Sequence, residues 1–141
     1  MNPEITLLVH NIRSTHNVGA IFRTAEGFGV KKIILSGYTP YPELSLCSKA
    51  PACAFVDGEI RSEDPRLPHI REKITSQIHK TALGAESLVP FEFYEDINDW
   101  IKESQQTENL PIIALEQSKD SVMLPEFQPP EKFALLLGEE V

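Results

Sequence analysis

Residues 11–25 read NIRSTHNVGAIFRTA, a polar segment that leads directly into a helical pattern. The preceding residues 5–9 read ITLLV and are apolar except for Thr6, as in a buried strand. In the second half of the segment, four apolar residues recur at the i, i+3, i+4 and i+7 spacing of a buried helix face: Val18, Ile21, Phe22 and Ala25. The segment therefore predicts a strand, a polar loop and a helix in immediate succession.

We predict Asn17 as the N-cap of this helix, because its side-chain oxygen can accept hydrogen bonds from the free N–H groups of the first turn. Gly19 permits close approach of another chain segment. Arg13 lies in the loop, and Arg23 lies on the helix about 9 Å beyond Asn17. Two guanidinium groups beside a helix N-terminus are typical of phosphate recognition. A simple cap with two solvated arginines fits the same residues, and both interpretations stay open.

Apolar segments alternate with helical patterns along the rest of the chain. The predicted strands are residues 5–9, 32–36, 89–94, 110–115 and 133–137. Helical patterns begin after Pro68 and after Asp96, which is a candidate cap. This alternation predicts an α/β fold, with a parallel sheet and flanking helices. Residues 39–68 contain five prolines and are predicted to form a long loop.

The 141 residues, with 41% hydrophobic content, suffice for one core, so we expect a single domain over residues 1–141. We find neither a stretch apolar enough to span a membrane nor a signal-peptide pattern, which predicts a cytoplasmic protein without a membrane partner. Cys47 and Cys53 lack a second pair or a suitably spaced histidine, and the four histidines form no ligand pattern. We therefore expect no metal and two reduced thiols.

The net charge of −8 opposes simple nucleic-acid binding, but the charge is unevenly distributed. Residues 1–80 hold 10 basic and 8 acidic residues, a net charge of +2, whereas residues 81–141 hold 3 basic and 13 acidic residues, a net charge of −10. Any RNA-facing surface is therefore expected in the N-terminal half.

Common nucleotide fingerprints are absent. Gly27 and Gly29 are not followed by the third glycine of a dinucleotide loop, and no Gly-Lys-Ser/Thr phosphate loop occurs. Gly138 follows a predicted buried strand, where it lets backbone approach a ligand at the carboxyl edge of a parallel sheet. A nicotinamide enzyme and an NTPase are therefore disfavoured, whereas a ligand beside Gly138 is favoured.

The string from Asn11 to Ala25 resembles the first motif of the SpoU (TrmH-like) RNA 2′-O-ribose methyltransferases, which belong to the SPOUT superfamily. The similarity continues in GVKKIILSGYTP (residues 29–40), KTALGAE (80–86) and FALLLGEEV (133–141). The last run resembles the opening of the second family motif, a strand followed by Gly-x-Glu, with Gly138 and Glu140 in the matching places. The family's third motif would lie beyond Val141, so the resemblance covers nearly all of this chain but only part of the family's domain.

The resemblance implies a SPOUT α/β knot whose C-terminal knot segment is absent from this chain. It implies transfer of a methyl group from S-adenosylmethionine to a ribose 2′-hydroxyl of tRNA or rRNA, by a homodimer in which the arginine of one subunit serves the other. Without the third motif, residues 1–141 alone are expected to be inactive.

The resemblance also implies roles for particular residues. The implied catalytic residues are Arg23, Asn17 and Glu140. The implied RNA-binding residues are Asn11, Arg13 and Arg23. The implied cofactor-binding residues are Leu115, Gly138 and Glu140, and Leu115 fits a core leucine equally well. Because guanidinium keeps its proton above pH 12, we expect Arg23 to clamp phosphate and ribose and leave the general base open.

Two other functions stay open. The first is a non-catalytic RNA-binding or dimerisation module that retains the first motif. The second is a small-molecule-binding α/β domain unrelated to RNA, which the acidic charge favours. RNA crosslinking to Arg13 or Arg23 would separate that domain from both RNA-directed functions.

Overall fold

The computed structural model describes residues 3–46, 52–116 and 119–138. The strands and helices of these residues are, in chain order, β1 (Glu4–His10), α1 (Thr15–Phe28), β2 (Lys32–Ser36), β3 (Cys53–Val56), β4 (Glu59–Arg61), α2 (Pro68–Ala82), β5 (Phe91–Tyr94), α3 (Ile97–Thr107), β6 (Ile112–Ala114) and β7 (Lys132–Leu137). Short 3₁₀ segments lie at Leu44–Leu46, Ala85–Ser87 and Leu124–Glu126.

These strands form one sheet in the order β4-β3-β5-β2-β1-β7-β6. Every neighbouring pair is parallel except β3 with β4. In the centre, Leu8 of β1 pairs with Ile34 of β2 on one side and with Leu136 of β7 on the other. The predicted α/β fold, a parallel sheet with flanking helices, is confirmed.

Two apolar clusters cover the two faces of the sheet. On one face, Val9 and Ile33 pack with α1 and α2 through residues such as Phe22 and Ile78. On the other face, Leu8, Ile34 and Trp100 of α3 form a smaller cluster. Strands covered on both faces are apolar throughout, which is why the central strands could be predicted from continuous apolar runs.

The prediction that residues 39–68 form one long loop was wrong. This range contains the antiparallel hairpin of β3 and β4. Asp57 (φ 54°) and Gly58 (φ 76°) connect the two strands, and two left-handed residues are what a two-residue hairpin turn requires. The Asp-Gly dipeptide was the sequence signal for this hairpin, and the surrounding prolines obscured it.

Close packing of α1 on α2 fixes the position of α1 above the sheet. A Cβ atom at Gly19 would overlap Oγ1 of Thr81 and the carbonyl oxygen of Ile78. The Thr81 hydroxyl also donates a 2.7 Å hydrogen bond to the carbonyl oxygen of His16 in the first turn of α1. The chain segment that approaches Gly19 is therefore α2 of the same chain.

Candidate functional site

A topological switch point lies between β1 and β7. From β1 the chain moves outward through β2 towards β3, whereas β7 and β6 lie on the other side of β1. Ligands of open α/β sheets bind in the crevice outside the carboxyl ends of the strands at such a point. The loop that begins at Asn11 follows β1, and Gly138 follows β7, so both predicted positions lie at this edge.

The loop after β1 is joined to the loop after β2 by side-chain hydrogen bonds. Asn11 has a φ of 56°, a left-handed conformation that Asn tolerates better than most residues. Its Oδ1 accepts a 3.1 Å hydrogen bond from the backbone N–H of Tyr38. Gly37 (φ 68°) lies so close that a Cβ atom there would overlap Oδ1 of Asn11. The two loops therefore hold each other in a defined geometry.

Thr39 makes a second, buried connection between the same loops. Its hydroxyl accepts a 3.1 Å hydrogen bond from the backbone N–H of Ile12. The same hydroxyl lies 2.7 Å from the carbonyl oxygen of Ser36, to which it can donate. Sequence reasoning did not identify Tyr38 or Thr39, although both lie just after Gly37, which follows β2.

The prediction that Asn17 caps α1 was wrong. Ser14 is the N-cap, in extended conformation, and its Oγ accepts a 3.1 Å hydrogen bond from the backbone N–H of Asn17. Both residue types can cap, but the first turn already begins at Thr15, and a residue with helical backbone cannot be the cap. Asn17 is therefore a first-turn residue whose side chain projects from the helix.

Arg13 and Arg23 are both exposed, and no described carboxylate lies within ion-pairing distance of either. The Arg13 guanidinium lies over the ring of Tyr38, 5.0 Å from its centroid. Arg23 is six residues beyond Asn17 on α1, which places it about 120° around the helix axis from Asn17. The structure thus brings Arg13 and Asn11 to one edge, while Arg23 and Asn17 lie on different flanks of α1.

An apolar groove of about 530 Å³ lies alongside α1 and is lined by residues of α1, β1 and β7. Leu7, Ile21, Leu135 and Leu137 contribute to its walls, and Asn17 supplies one of its few polar side chains. Arg23 does not line this groove. A hydrocarbon or thioether surface can bind here, with the amide of Asn17 as a polar partner.

Leu115 and Gly138 end the two strands at the outer side of the switch point. The backbone N–H of Leu115 donates a 3.0 Å hydrogen bond to the carbonyl oxygen of Leu136. Leu115 is 57% exposed and belongs to neither apolar cluster of the described residues. A Cβ atom at Gly138 would meet no described atom within 4 Å. Glu140, the third predicted cofactor residue, lies outside the described residues.

Metal and thiol chemistry receive no support from the described residues. Within them, no three His, Cys, Asp or Glu side chains are arranged to hold a metal ion. Burial raises the pKa of the Cys53 thiol, which keeps that sulfur protonated and poorly nucleophilic at neutral pH. Cys47 lies outside the described residues. None of the described helices is long and apolar enough to cross a lipid bilayer.

Comparison with family models and with curated proteins gives no match. Solved structures do match. An AdoMet-bound rRNA methyltransferase from Sinorhizobium meliloti is 18% identical with a TM-score of 0.63, and the match covers 99% of this chain and 42% of that protein. The SpoU methyltransferase AviRb from Streptomyces viridochromogenes, in complex with AdoMet, is 14% identical with a TM-score of 0.64, and covers the same shares. The chain has the SpoU methyltransferase fold.

A second rRNA methyltransferase structure from Sinorhizobium meliloti gives a similar match, at 20% identity and a TM-score of 0.64. It covers 97% of this chain and 40% of the other. The chain thus spans about two fifths of the length of these structures. The SpoU resemblance read from residues 11–25 is confirmed at the level of the fold, since these identities are too low to carry a shared activity.

Proposed function

We propose that this chain belongs to an S-adenosylmethionine-dependent RNA 2′-O-ribose methyltransferase of the SpoU type. The observation that carries the proposal is the convergence at one sheet edge. The arginine-bearing loop after β1 lies beside the glycine that follows β7, at the switch point of a sheet with the SpoU fold. Polar groups suited to a phosphate and an open strand end suited to a small ligand therefore lie at the same edge of the sheet.

The residues at the ends of β6 and β7 fit S-adenosylmethionine. The backbone at Gly138 is open to approach, Leu115 presents an exposed apolar side chain, and the adjacent groove is apolar. When bound, the cofactor supplies an activated sulfonium methyl group. Leu115, Gly138 and Glu140 would hold it. Two of the structural neighbours carry bound AdoMet, which supports the choice of cofactor.

The chain's own residues would then position the RNA. Asn11 fixes the loop, Arg13 offers its fork to a phosphate, and Arg23 clamps phosphate and ribose. Asn17 would support the site from the groove wall. Positioning is the main requirement, because the methyl donor is already activated and the 2′-oxygen must be aligned with it. Guanidinium keeps its proton, so neither arginine is assigned the role of base.

A homodimer is part of the proposal, and the separation of Arg23 from Asn17 supports it. Arg23 lies about 120° around α1 from the residue that lines the groove, so it faces away from the groove of its own chain. In a two-fold dimer it would serve the crevice of the partner. A SPOUT-type knot and a cytoplasmic location remain part of the same proposal.

We also propose that residues 1–141 alone do not retain the cofactor tightly. They correspond to about two fifths of the AdoMet-bound neighbours, and the groove and strand ends described above are open. Calorimetry on residues 1–141 is expected to detect no micromolar binding of S-adenosylmethionine, because few contacts would offset ligand immobilisation. Micromolar binding would refute this part.

Ribose-methylation mapping tests the proposed activity. RNA from cells that lack the protein should lose 2′-O-methylation at one or a few positions of tRNA or rRNA. Re-expression of the native gene should restore these positions, and the same gene carrying Arg23→Ala should not. An unchanged methylation map in cells lacking the protein would refute the activity.

A non-catalytic RNA-binding module is the second candidate. It is favoured because the Asn11, Arg13 and Tyr38 contacts are complete within these residues, whereas the cofactor positions are open. This candidate predicts RNA binding without any change in the methylation map. The third possibility, a small-molecule domain unrelated to RNA, predicts no RNA binding and no change in the methylation map.

A further inference from the structure

We propose that Tyr38 and the cavity beside it form a binding site for an unpaired nucleobase, with Glu95 reading an exocyclic amino group on that base. This inference rests on the proposed RNA substrate and deepens it, since it names the part of the RNA that the carboxyl edge contacts. Sequence-specific RNA recognition relies on unstacked bases that stack on aromatic side chains and bond through their edges.

Tyr38 is a rigidly mounted aromatic platform. Tyr38 is 47% exposed, although Leu35 and Ser36 at the end of β2 are fully buried. Its backbone N–H is held by Asn11 Oδ1, and Thr39 anchors the next residue of the loop. A rigid ring loses little conformational entropy when a base stacks on it, which is what makes a tyrosine effective at a binding surface.

Arg13 equips the same platform for nucleic acid. Its guanidinium lies 5.0 Å from the centroid of the Tyr38 ring, within the range of a cation–π contact. The residue is exposed, so its fork can contact a phosphate while it remains near the ring. A base stacked on the face of the Tyr38 ring that Arg13 does not cover, together with a phosphate on Arg13, would match one nucleotide.

The cavity beside Tyr38 has about the size and lining that a base requires. Its volume is about 430 Å³, and Pro40, Tyr41, Val56 and Phe93 supply its flat or apolar walls. Its deeper wall is rigid, because the rings of Tyr41 and Phe93 are stacked at 4.2 Å and Arg66 lies 3.6 Å from the centroid of Tyr41. The nitrogens of Arg66 are engaged by Asp64 and by the carbonyl oxygens of Tyr41 and Pro42.

Glu95 gives the cavity a hydrogen-bond acceptor. It directly follows β5, is exposed and lines the cavity. No described side chain pairs with its carboxylate. An ionised carboxylate can only accept hydrogen bonds, so it favours a base edge with an amino group and disfavours the carbonyl at the same place in uracil. At that position cytosine carries an amino group and uracil carries a carbonyl oxygen, so the two bases are a matched pair for a test.

The position of this cavity along the edge agrees with the proposed reaction. Gly138 follows β7, and Tyr38 follows β2, with β1 between them. Two strand spacings correspond to about 10 Å, roughly the size of a nucleotide. A nucleotide could therefore extend from the proposed cofactor crevice, past Arg13, to the ring of Tyr38.

Fluorescence anisotropy with labelled single-stranded heptamers of cytidine and of uridine tests the inference, at about 150 mM salt, which screens the repulsion between the acidic chain and the RNA. Wild-type protein should bind the cytidine heptamer about 10-fold more tightly than the uridine heptamer. Tyr38→Ala should weaken cytidine binding about 10-fold, in line with base–aromatic stacking. Tyr38→Phe keeps the ring and should bind within about 2-fold of wild type.

The matched control is Phe28→Ala, which removes an aromatic ring that is 83% exposed at the far end of α1. Phe28 lines the apolar groove beside α1 but not the cavity beside Tyr38, so it tests RNA binding by an exposed ring outside that cavity. This variant should leave both affinities unchanged. Glu95→Ala should abolish the preference for cytidine without weakening uridine binding. Circular dichroism should show every variant folded, because Tyr38, Glu95 and Phe28 are exposed.

Three outcomes would overturn the inference. Equal binding by Tyr38→Ala and wild type would reject the stacking site while leaving the RNA methyltransferase proposal intact. A cytidine preference that survives Glu95→Ala would reject the reading of the amino group. Failure of wild-type protein to bind either heptamer would reject the inference, whereas the RNA substrate itself is tested by the methylation map.

Discussion

Oδ1 of Asn11 accepts a hydrogen bond from the backbone N–H of Tyr38 at 3.1 Å, across the ends of β1 and β2. This contact connects the loop after β1, which carries Arg13, to Tyr38 in the loop after β2. Asn11 and Gly37 both have a left-handed backbone at this contact. The first motif of the resemblance and the Gly-Tyr-Thr-Pro segment that follows β2 therefore form one structural unit. The site requires that unit to be rigid.

We expect Asn11→Ala to lower the free energy of unfolding by about 2 kcal/mol, because it removes this hydrogen bond and places alanine at a positive φ. Asn109→Ala is the matched control, since Asn109 also has a positive φ (50°) but follows α3. It should cost only about 1 kcal/mol and leave RNA affinity unchanged. Chemical denaturation and RNA anisotropy measure both effects. Equal stability and RNA affinity in the two variants would contradict a special role for Asn11.

The cap of α1 gives a second prediction. Ser14→Ala should destabilise the protein by about 1 kcal/mol, because the N–H of Asn17 loses its acceptor. Asn17→Ala should cost less than Ser14→Ala, since Asn17 is not the cap, yet it should slow methyl transfer if Asn17 supports the site. Thermal melts combined with methylation assays compare the two variants. Normal methylation by Asn17→Ala would make Asn17 a structural residue only.

Two glycines of α1 provide a matched pair for the packing of α1 on α2. Gly19→Ala should destabilise the protein by more than about 2 kcal/mol, because the new Cβ overlaps the Ile78 carbonyl and Thr81. Gly27→Ala should stabilise it by about 0.5–1 kcal/mol, since Gly27 has open space around it and alanine favours helix. Denaturation midpoints measure both changes. A tolerated alanine at Gly19 would show that α1 and α2 can separate readily.

Sequence patterns predicted those parts of the fold in which burial alone selects the residue type. Two elements were predicted correctly. The fold buries β1 on both of its faces, and it buries α1 along one stripe that contains Val18, Phe22 and Ala25. Pro68 at the first position of α2 and Asp96 as the cap of α3 were also correct, since each has a local backbone reason. These elements position the site.

The remaining features depend on tertiary contacts that no local pattern encodes. Ser14 and Asn17 are both capping types, and only the backbone of the folded loop selects Ser14. Tyr38 resembles any tyrosine in a turn until Asn11 and Arg13 are placed beside it. Helical periodicity alone predicts the flank of α1 on which Arg23 lies. Only the folded structure shows which flank borders β7, and the proposed role of Arg23 depends on that.

Arg66 lines the proposed base cavity and forms an ion pair with Asp64, so the stability of the protein should depend on pH. Burial alone would raise the pKa of the Asp64 carboxyl, but hydrogen bonds and charge from Arg66 outweigh it and hold that pKa below its ordinary value. A lowered pKa means that the contribution is present above about pH 4 and is lost as the pH falls through the folded-state value. Asp64→Asn should therefore destabilise the protein at pH 7 and much less at about pH 2.5. An equal loss at both pH values, measured by urea denaturation, would contradict this linkage.

Substitution of Arg23 tests the proposed clamp in a preparation that methylates its RNA. Arg23 is exposed on α1, so Arg23→Ala and Arg23→Lys should both fold and bind S-adenosylmethionine. Both should lose methyl transfer by about 100-fold or more, or about 2.7 kcal/mol in transition-state stabilisation, because lysine keeps the charge but not the fork. Near-normal transfer by Arg23→Lys would rule out fork-specific recognition, and near-normal transfer by Arg23→Ala would remove Arg23 from the site.

If the protein forms the proposed homodimer, mixed dimers will show which subunit Arg23 serves. Arg23→Ala leaves its own crevice intact, and Gly138→Val blocks the crevice but leaves Arg23 intact. If Arg23 serves the partner, half of the dimers in an equal mixture contain one complete site, and activity should return to about a quarter of wild type. If Arg23 serves its own chain, no mixed dimer contains a complete site and the mixture stays inactive. The structure favours the first outcome, because Asn17 lines the groove of its own chain while Arg23 lies about 120° away around the same helix.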